Sequence, residues 1–464
     1  MAVRALTANR LARPPSKWAC YAPWLADAVY GPEAKAVALE HLERALECLR
    51  RQIASREPAM LDRTAALCNA EVDLRFWDTT TVSDAIDDAD DAGEVWEDQA
   101  RPALRQRGPH QAGREGNVQV VVGLALTRDG LPGRSWVFPG HPAAVTTSTP
   151  LQDDVRGWRG HRGVFVGESG LCSEANRQRL RRALGRDMLA VPMRQVTAVH
   201  RDGRTRAGRY RDVAHNLRGQ EVYVGEGARR RRELVCHHPD EAARAHAPRE
   251  RPVALVRAAL AALDTRPAAH PTHACELMAS RRCGRDLRMA APGRLSLDAA
   301  QVAAEAQDDG PCVVTTTDDT LAAADVALGY TCMPLIAGGC RPMQTTGLQT
   351  RPRYHGRPHR RIAHVQRCVL AVLRQRAAEI RGQQTWRTMR QTVAPVTVVR
   401  DQMHGQTMVQ SPRVTAPLAA IRQRRGIPLP KKIVEVYESV RITQRSSIHA
   451  SQTPCVSYGF FFID

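Results

Sequence analysis

Residues 118–138 leave this chain few options. Val118-Gln119-Val120-Val121-Val122-Gly123-Leu124-Ala125-Leu126 is a nearly unbroken apolar run. Arg128-Asp129-Gly130 is a turn signal, and Ser135-Trp136-Val137-Phe138 resumes the strand pattern. The sequence predicts a β-hairpin here. A second strand is predicted just upstream, where Val72, Leu74 and Phe76 alternate with Asp73, Arg75 and Trp77. Asp78 is read as closing that strand, with Thr79-Thr80-Thr81 following it. Val164-Phe165-Val166 gives a further short strand that ends at Gly167-Glu168-Ser169-Gly170. A helix with Leu180 and Leu184 on its apolar side is expected next.

Helical spacing dominates elsewhere. Leu39, Leu42, Leu46, Leu49 and Ile53 step by three and four residues, predicting a helix over 36–53. Residues 1–70 carry little strand signal and read as a small helical unit able to bind DNA or merely to pack. Ile362, Val365, Val369, Val372 and Leu373 share one face of a helix expected over 360–381. Strands at 221–224 and 234–236 and an Ala- and Arg-rich helix at 253–263 fall inside the stretch 190–310. The acidic segment 84–98 is expected to be a loop. Residues 391–464 read as a tail, and its end, Phe460-Phe461-Phe462-Ile463, would be adhesive if exposed.

Charge narrows the partners. The formal net charge is +19, and only four of the 67 basic residues are Lys. A GC-rich genome accounts for the Arg preference but not for the excess. Residues 201–232 end in Arg229-Arg230-Arg231-Arg232, and residues 341–376 contain no acid at all. Two such stretches favour a polyanion, most simply nucleic acid. Twelve scattered cysteines without a C-x-x-C pair argue for buried free thiols rather than zinc or disulfides. No apolar run is long enough for a membrane helix and no secretory signal is visible, so a soluble, cytoplasmic chain is expected. No Gly-rich phosphate loop is present.

Two predicted strands thus end in a carboxylate, Asp78 and Glu168, and they frame the hairpin. The order strand, hairpin, strand, helix suggests an α/β ribonuclease-H-like core. In such cores acids at strand ends hold two divalent metals for in-line phosphoryl displacement, and hard Mg²⁺ asks for oxygen ligands.

The residues also resemble a known family. Trp77 to Thr81, Asn117 to Gly140, Phe165 to Asn176 (FVGESGLCSEAN), Gly208 to Asn216, Thr317 to Tyr330 and Arg361 to Glu379 follow one another as in bacterial insertion-sequence transposases of the DDE class. The subgroup is the one with a Tyr-Arg-Glu-Lys signature, and the similarity spans about residues 5 to 430. The resemblance implies a ribonuclease-H-like core over 71–390, with a β-rich insertion at about 190–310. It implies Mg²⁺ or Mn²⁺ as cofactor, and DNA as partner, both terminal inverted repeats and target. A homodimer on paired ends is implied as well, and no membrane partner.

Carried over position by position, Asp78 stands at the first catalytic Asp. Glu168 stands at the second, with a stem one methylene longer. The third acid falls on Ala337. Of the signature only Tyr330 matches, because its Arg, Glu and Lys fall on Met333, Ala337 and Gln344. Residues 331–347 also hold Pro334, Gly338, Gly339 and Pro342, which disfavour the helix that would present the acid. The resemblance therefore implies a degenerate copy with impaired chemistry. Basic residues between the first two acids contact substrate phosphates in the family, which makes Arg105, Arg107 and Arg114 candidates. Arg229 to Arg232, Tyr330, Arg351 and Arg353 are further DNA-binding candidates. Asp318, Asp319, Glu379 and Glu174 are weak substitutes for the missing acid. Three outcomes remain open: a transposase by descent, a catalytically dead DNA-binding remnant or repressor of related elements, and a poorly folding product.

Overall fold

A computed structural model of the chain describes residues 1–12, 16–26, 29, 36–72, 74–83, 89–90, 95–96, 99–100, 103–108, 118–140, 164–167, 172–178, 186–191, 210–225, 230–265, 270–280, 284–291, 294–306, 310–331, 343, 358–394, 396, 399–403, 406–411, 413–424, 426–429 and 431–438. In chain order the elements begin with helices α1 (Ala2–Ala12) and α2 (Leu39–Cys68). Strands β1 (Leu74–Ser83), β2 (Gln106–Arg107), β3 (Val118–Thr127), β4 (Pro132–Pro139) and β5 (Val164–Gly167) follow. Next come β6 (Asp187–Ala190), β7 (Arg211–Ala214), β8 (Leu217–Val224), β9 (Arg231–His237), α3 (Pro239–Asp264) and α4 (His270–Ala279). Then come β10 (Leu287–Ala291), β11 (Arg294–Leu297), α5 (Ala299–Ala306), β12 (Pro311–Thr316) and α6 (Ala323–Thr331). The described chain finishes with α7 (Pro358–Gly382), α8 (Trp386–Val393), β13 (Val399–Met403), β14 (Gln406–Gln410), α9 (Ala416–Arg424) and β15 (Ile433–Glu438). The architecture is mixed α/β. The contacts divide it into one unit of residues 1–165 with 332–464 and another of residues 166–331.

In the first unit β1 lies between β3 and β5, and β3 also pairs with β4 and, at its start, with β2. The predicted hairpin is there. Gly130 N–H donates to the Thr127 carbonyl at 2.8 Å and Thr127 N–H to the Leu131 carbonyl at 2.9 Å. Gly130 takes φ 75°, the left-handed conformation such a three-residue loop needs. Every residue of β3 is buried, as its unbroken apolar run requires. Gly140 closes the edge where β2 and β4 meet on β3. A Cβ there would sit 2.0 Å from the Gln119 carbonyl oxygen, so only Gly fits.

Helices α2 and α7 pack on β4 of this sheet, and α1 packs on both helices. Leu42 and Leu46 cluster with Ala363, Leu49 and Ile53 with Leu370, and Leu61 with Leu373 and Ala377, so α2 and α7 run in the same direction. Helix α2 does not stop near Ile53 as its first leucines suggest. It continues through Pro58 to Cys68 and ends on Asn69 in the left-handed conformation, φ 49°. Pro58 has no N–H to give the Ala54 carbonyl. Nη1 of Arg134, on β4, donates to that carbonyl instead. Glu57 Oε1 beside it accepts from Ser135 Oγ at 2.6 Å. Helix α7 covers almost the expected span, with Ala363, Val365, Val369 and Val372 buried.

The stretch read as a tail is folded over much of its length. Met389 of α8 and Ile421 of α9 pack on Ala378 of α7, and β13, β14 and β15 form an antiparallel sheet. Residues 460–463 lie outside the described residues. Near the end of the acidic segment, Val95–Trp96 pairs with Gln99–Ala100, just beyond it, as a short hairpin.

The second unit contains an antiparallel sheet in the order β6-β12-β9-β8-β7. Val235, Val313 and Val314 are buried in it, and α6 packs on it through Val326 and Ala327. The stretch 190–310, expected to be β-rich, holds more helix than strand among its described residues. Pro239 starts α3 at a position that needs no N–H, Asp240 and Glu241 sit in its first turn, and Val256 and Leu263 anchor it to Ala274, Leu287 and Leu295. Among the described residues no helix is long and apolar enough to cross a membrane.

Candidate active site

Asp78 lies in the middle of a strand, not at its end. The β-branched run Thr79-Thr80-Thr81-Val82 carries β1 on to Ser83, and each residue from Arg75 to Ser83 finds a partner on β3. Asp78 sits opposite Leu124. Side chains alternate along a strand, so Asp78 shares a side with Phe76 and Thr80 while Trp77 points the other way. Trp77 lies over Gly123, where a Cβ would come within 2.4 Å of its ring, and meets Trp136 edge-on at 5.1 Å between centroids. The strand is thus gripped on one side by an aromatic pair that needs a glycine opposite. On the other side the Asp78 carboxylate is only 7% exposed and is engaged by its surroundings.

Glu168 directly follows β5, the strand beside β1, but lies outside the described residues, as do Ala337, Arg114, Arg229, Arg351 and Arg353. The donor chemistry of Asp78, a hard carboxylate oxygen on a rigid strand, suits Mg²⁺ or Mn²⁺. One carboxylate does not complete a metal site. Among the described residues no group of three or more His, Cys, Asp or Glu side chains is placed to hold a metal.

Of the other acids considered, Asp319 is exposed, and the remaining three are engaged elsewhere. Asp318 is buried and accepts from Arg186 at 2.8 Å, from Thr320 N at 2.9 Å and from Thr320 Oγ1 at 2.6 Å. Burial would raise its pKa, but these hydrogen bonds and the Arg186 charge hold it below the usual carboxylate range. Glu379 pairs with Arg376 at 2.5 Å and accepts from Trp386 N at 2.9 Å, which closes the start of α8. Glu174 pairs with Arg177 and Arg231, each at 3.3 Å.

The basic candidates differ in what their guanidinium groups do. Arg105 is committed to Asp90, which accepts from its Nε at 2.7 Å and its backbone N at 2.9 Å. Arg361 on α7 donates to the same carboxylate. Arg232 is buried, donating to Glu221 Oε1 at 2.7 Å and to the carbonyls of Leu321 at 2.7 Å and Asp318 at 3.1 Å. Its pKa is raised: burial opposes the charge, but the Glu221 hydrogen bond and charge outweigh it. Arg231 lies between Glu174 and Glu233. Arg230 is exposed and stacks on Tyr223 with its guanidinium carbon 4.2 Å from the ring centroid. Arg107 is exposed on β2, and Tyr330 is half-buried in α6. A run of four arginines therefore does not make four free charges. Glu174 is distant in sequence and Glu221 is on the neighbouring strand β8, so composition alone did not reveal those pairings, while Glu233 lies on β9 itself.

No family model and no curated protein matches the chain. Among solved structures the chain is similar to one described as a piggyBac transposase synaptic complex with hairpin DNA. The identity is 7%, the match covers 91% of this chain and 69% of that one, and the TM-score is 0.35. That likeness is too loose to carry an argument about this chain's activity.

Proposed function

We propose that the chain is a DNA transposase of the DDE class by descent, built on a ribonuclease-H-like core. It binds the ends of an insertion sequence and is weakened for metal-dependent cleavage and strand transfer. The observation that carries the reading is the position of Asp78. It is a buried carboxylate in the middle of β1, with the β3–β4 hairpin on one side of that strand and β5 on the other, and with Glu168 as the next residue after β5. The order β4-β3-β1-β5 is what the first four strands of a ribonuclease-H-like core would give.

In this reading Asp78 and Glu168 would hold Mg²⁺ or Mn²⁺. When bound, the metal would lower the pKa of an attacking water or 3′-hydroxyl and stabilise the leaving oxygen. The chain's own contribution is positioning: a mid-strand Asp locked by pairing on β3 moves less than one at a frayed end. The longer stem of Glu168 shifts its carboxylate, and misplacement near 1 Å costs on the order of 10²-fold. Ala337 offers no ligand at the third position. Among the described arginine candidates, exposed Arg107 and Arg230 are the ones suited to phosphate contacts, while Arg105, Arg231 and Arg232 brace the surfaces around them. Tyr330, Arg114, Arg229, Arg351 and Arg353 complete the proposed DNA-binding set.

The test is a nicking and strand-transfer assay with Mg²⁺ or Mn²⁺ on cognate end DNA. It compares the chain with an Ala337→Glu, Glu168→Asp double variant. Cleavage by the double variant alone supports descent with decay, provided Asp78→Asn abolishes it. Equal cleavage by both refutes the decay. Salt-dependent DNA binding with no cleavage by either leaves the chain a DNA-binding remnant.

A further inference from the structure

One face of α2 is built like a seam. Leu49, Ile53, Arg56, Met60, Arg63 and Leu67 follow one another at alternating steps of four and three residues. That spacing keeps them on one side of the helix for about five turns, roughly 27 Å. On α7, Leu370, Arg374, Ala377 and Arg381 repeat the same steps. Between the two parallel helices, with Val3, Arg4 and Thr7 of α1 alongside, runs a groove of about 660 Å³. Leu49, Ile53, Leu370 and Leu373 form its buried floor, and Leu67 stands 46% exposed.

The groove is basic as well as apolar. Arg4, Arg56, Arg63, Arg374 and Arg381 line it, and among the described lining residues there is no Asp or Glu. Burial, and then the charge of Arg4, hold the Arg374 pKa below its ordinary value. Arg374 is thus a partly desolvated guanidinium beside a like charge, and acids on an occupant of the groove would complement both. On α2, Arg56 and Arg63 are seven residues apart, and on α7 so are Arg374 and Arg381. Each pair is spaced by two helical turns.

These features select among occupants. A DNA duplex is wider than the gap between adjacent helices, and its phosphates gain nothing from an apolar floor. A compact small anion would not use a stripe five turns long. An amphipathic helix uses both, with apolar side chains on the floor and acids along the edges. We propose that this groove is the docking site for an acidic amphipathic helix of a partner protein, with apolar residues at three- and four-residue steps and acids seven residues apart on its flanks.

The probe is a synthetic helical peptide with Leu at its a and d positions and Glu at e and g, titrated into the full chain by fluorescence anisotropy. A scrambled peptide of the same composition is the control. The designed peptide should bind, and the scrambled one should not. Arg56→Glu with Arg63→Glu should weaken binding by at least about tenfold without changing the thermal unfolding curve, since both side chains are exposed. A peptide carrying Arg in place of Glu should recover binding to that double variant. No binding to the unaltered chain, equal binding of the scrambled peptide, or indifference to the double variant would overturn the proposal. So would loss of duplex DNA binding in the double variant when the peptide does not compete with DNA, which would assign the groove to nucleic acid.

Discussion

Pro58 and Arg134 meet at a single oxygen atom. The Ala54 carbonyl, denied its helical donor by Pro58, accepts from Arg134 Nη1, which also lies 3.4 Å from the buried carboxylate of Glu57. A helix of one layer is thereby pinned to a strand of another at the point where the helix should have broken. Proline in a helix interior costs about 3 kcal/mol, and part of that cost is the orphaned acceptor.

Arg134→Ala should therefore destabilise the chain by about 3–5 kcal/mol, because it takes a cation from beside the buried carboxylate of Glu57 as well as a donor from the carbonyl. Pro58→Ala should stabilise, and by more in the Arg134→Ala background than in the unaltered chain, since the new N–H then meets an unsatisfied oxygen. Urea unfolding of the four chains of this double-mutant cycle should give a coupling of about 1 kcal/mol. Strict additivity would separate the two residues.

Acid stability should depend on Asp90. Burial pushes its pKa up, but hydrogen bonds from the Arg105 backbone and side chain, and then the charge and hydrogen bond of Arg361, hold it below the usual carboxylate value. A carboxylate depressed in the folded state adds stability above its unfolded pKa of about 3.9. That stability is lost as pH falls through the lower folded value. The unfolding midpoint should drop over that acid window, and Asp90→Asn should lower the plateau near neutrality while flattening the drop. An unchanged acid limb in Asp90→Asn would remove Asp90 from the account.

How much of this was legible follows from the range of each interaction. The β3–β4 hairpin and α7 were readable because their signals are local: an apolar run with a turn, and a 3.6-residue stripe. The run of α2 past Pro58 was not, since what rescues it arrives from Arg134, 80 residues away. The same holds for Asp90, whose partners lie 15 and 271 residues off and which the sequence shows only as one acid in a cluster. Asp78 was legible as a special carboxylate. Its place within the strand was not, because an Asp reads as a strand end when the threonines after it are not counted as strand. The arginine run at 229–232 was visible as charge, but Glu174 and Glu221, which pair with its last two members, were visible only in space.

Arg367 should be replaceable at a gain. It is 1% exposed, and its pKa is driven down to about 9, first by burial and then by the charge of Arg10, with Cys20 and Cys368 opposing. His364 Nδ1 accepts from it at 3.1 Å, a neutral partner that offsets little of the desolvation. Buried charges replaced by apolar side chains of similar volume often leave a protein about 1–4 kcal/mol more stable. Arg367→Met should raise the thermal midpoint, and it should do so even though His364 Nδ1 loses this donor, because Arg10 is freed of a like charge. A lower midpoint would mean that the guanidinium has a counter-charge which the pairing around it does not reveal.

Two thiols that face each other across β9 and β12 should react unequally. Cys236 lies directly opposite Cys312, and a hydrogen bond joins them. That bond and burial both raise the Cys236 pKa, whereas accepting the bond lowers that of Cys312 against the opposing effect of burial. Cys312 is also the less enclosed of the two. Iodoacetamide at mildly alkaline pH, followed by peptide mapping, should label Cys312 in the native chain and reach Cys236 only on unfolding. Cys312→Ala should leave Cys236 still unreactive, since burial by itself also raises its pKa. Native labelling of Cys236 ahead of Cys312 would reverse the direction of the hydrogen bond and with it the assignment of which sulfur becomes the thiolate.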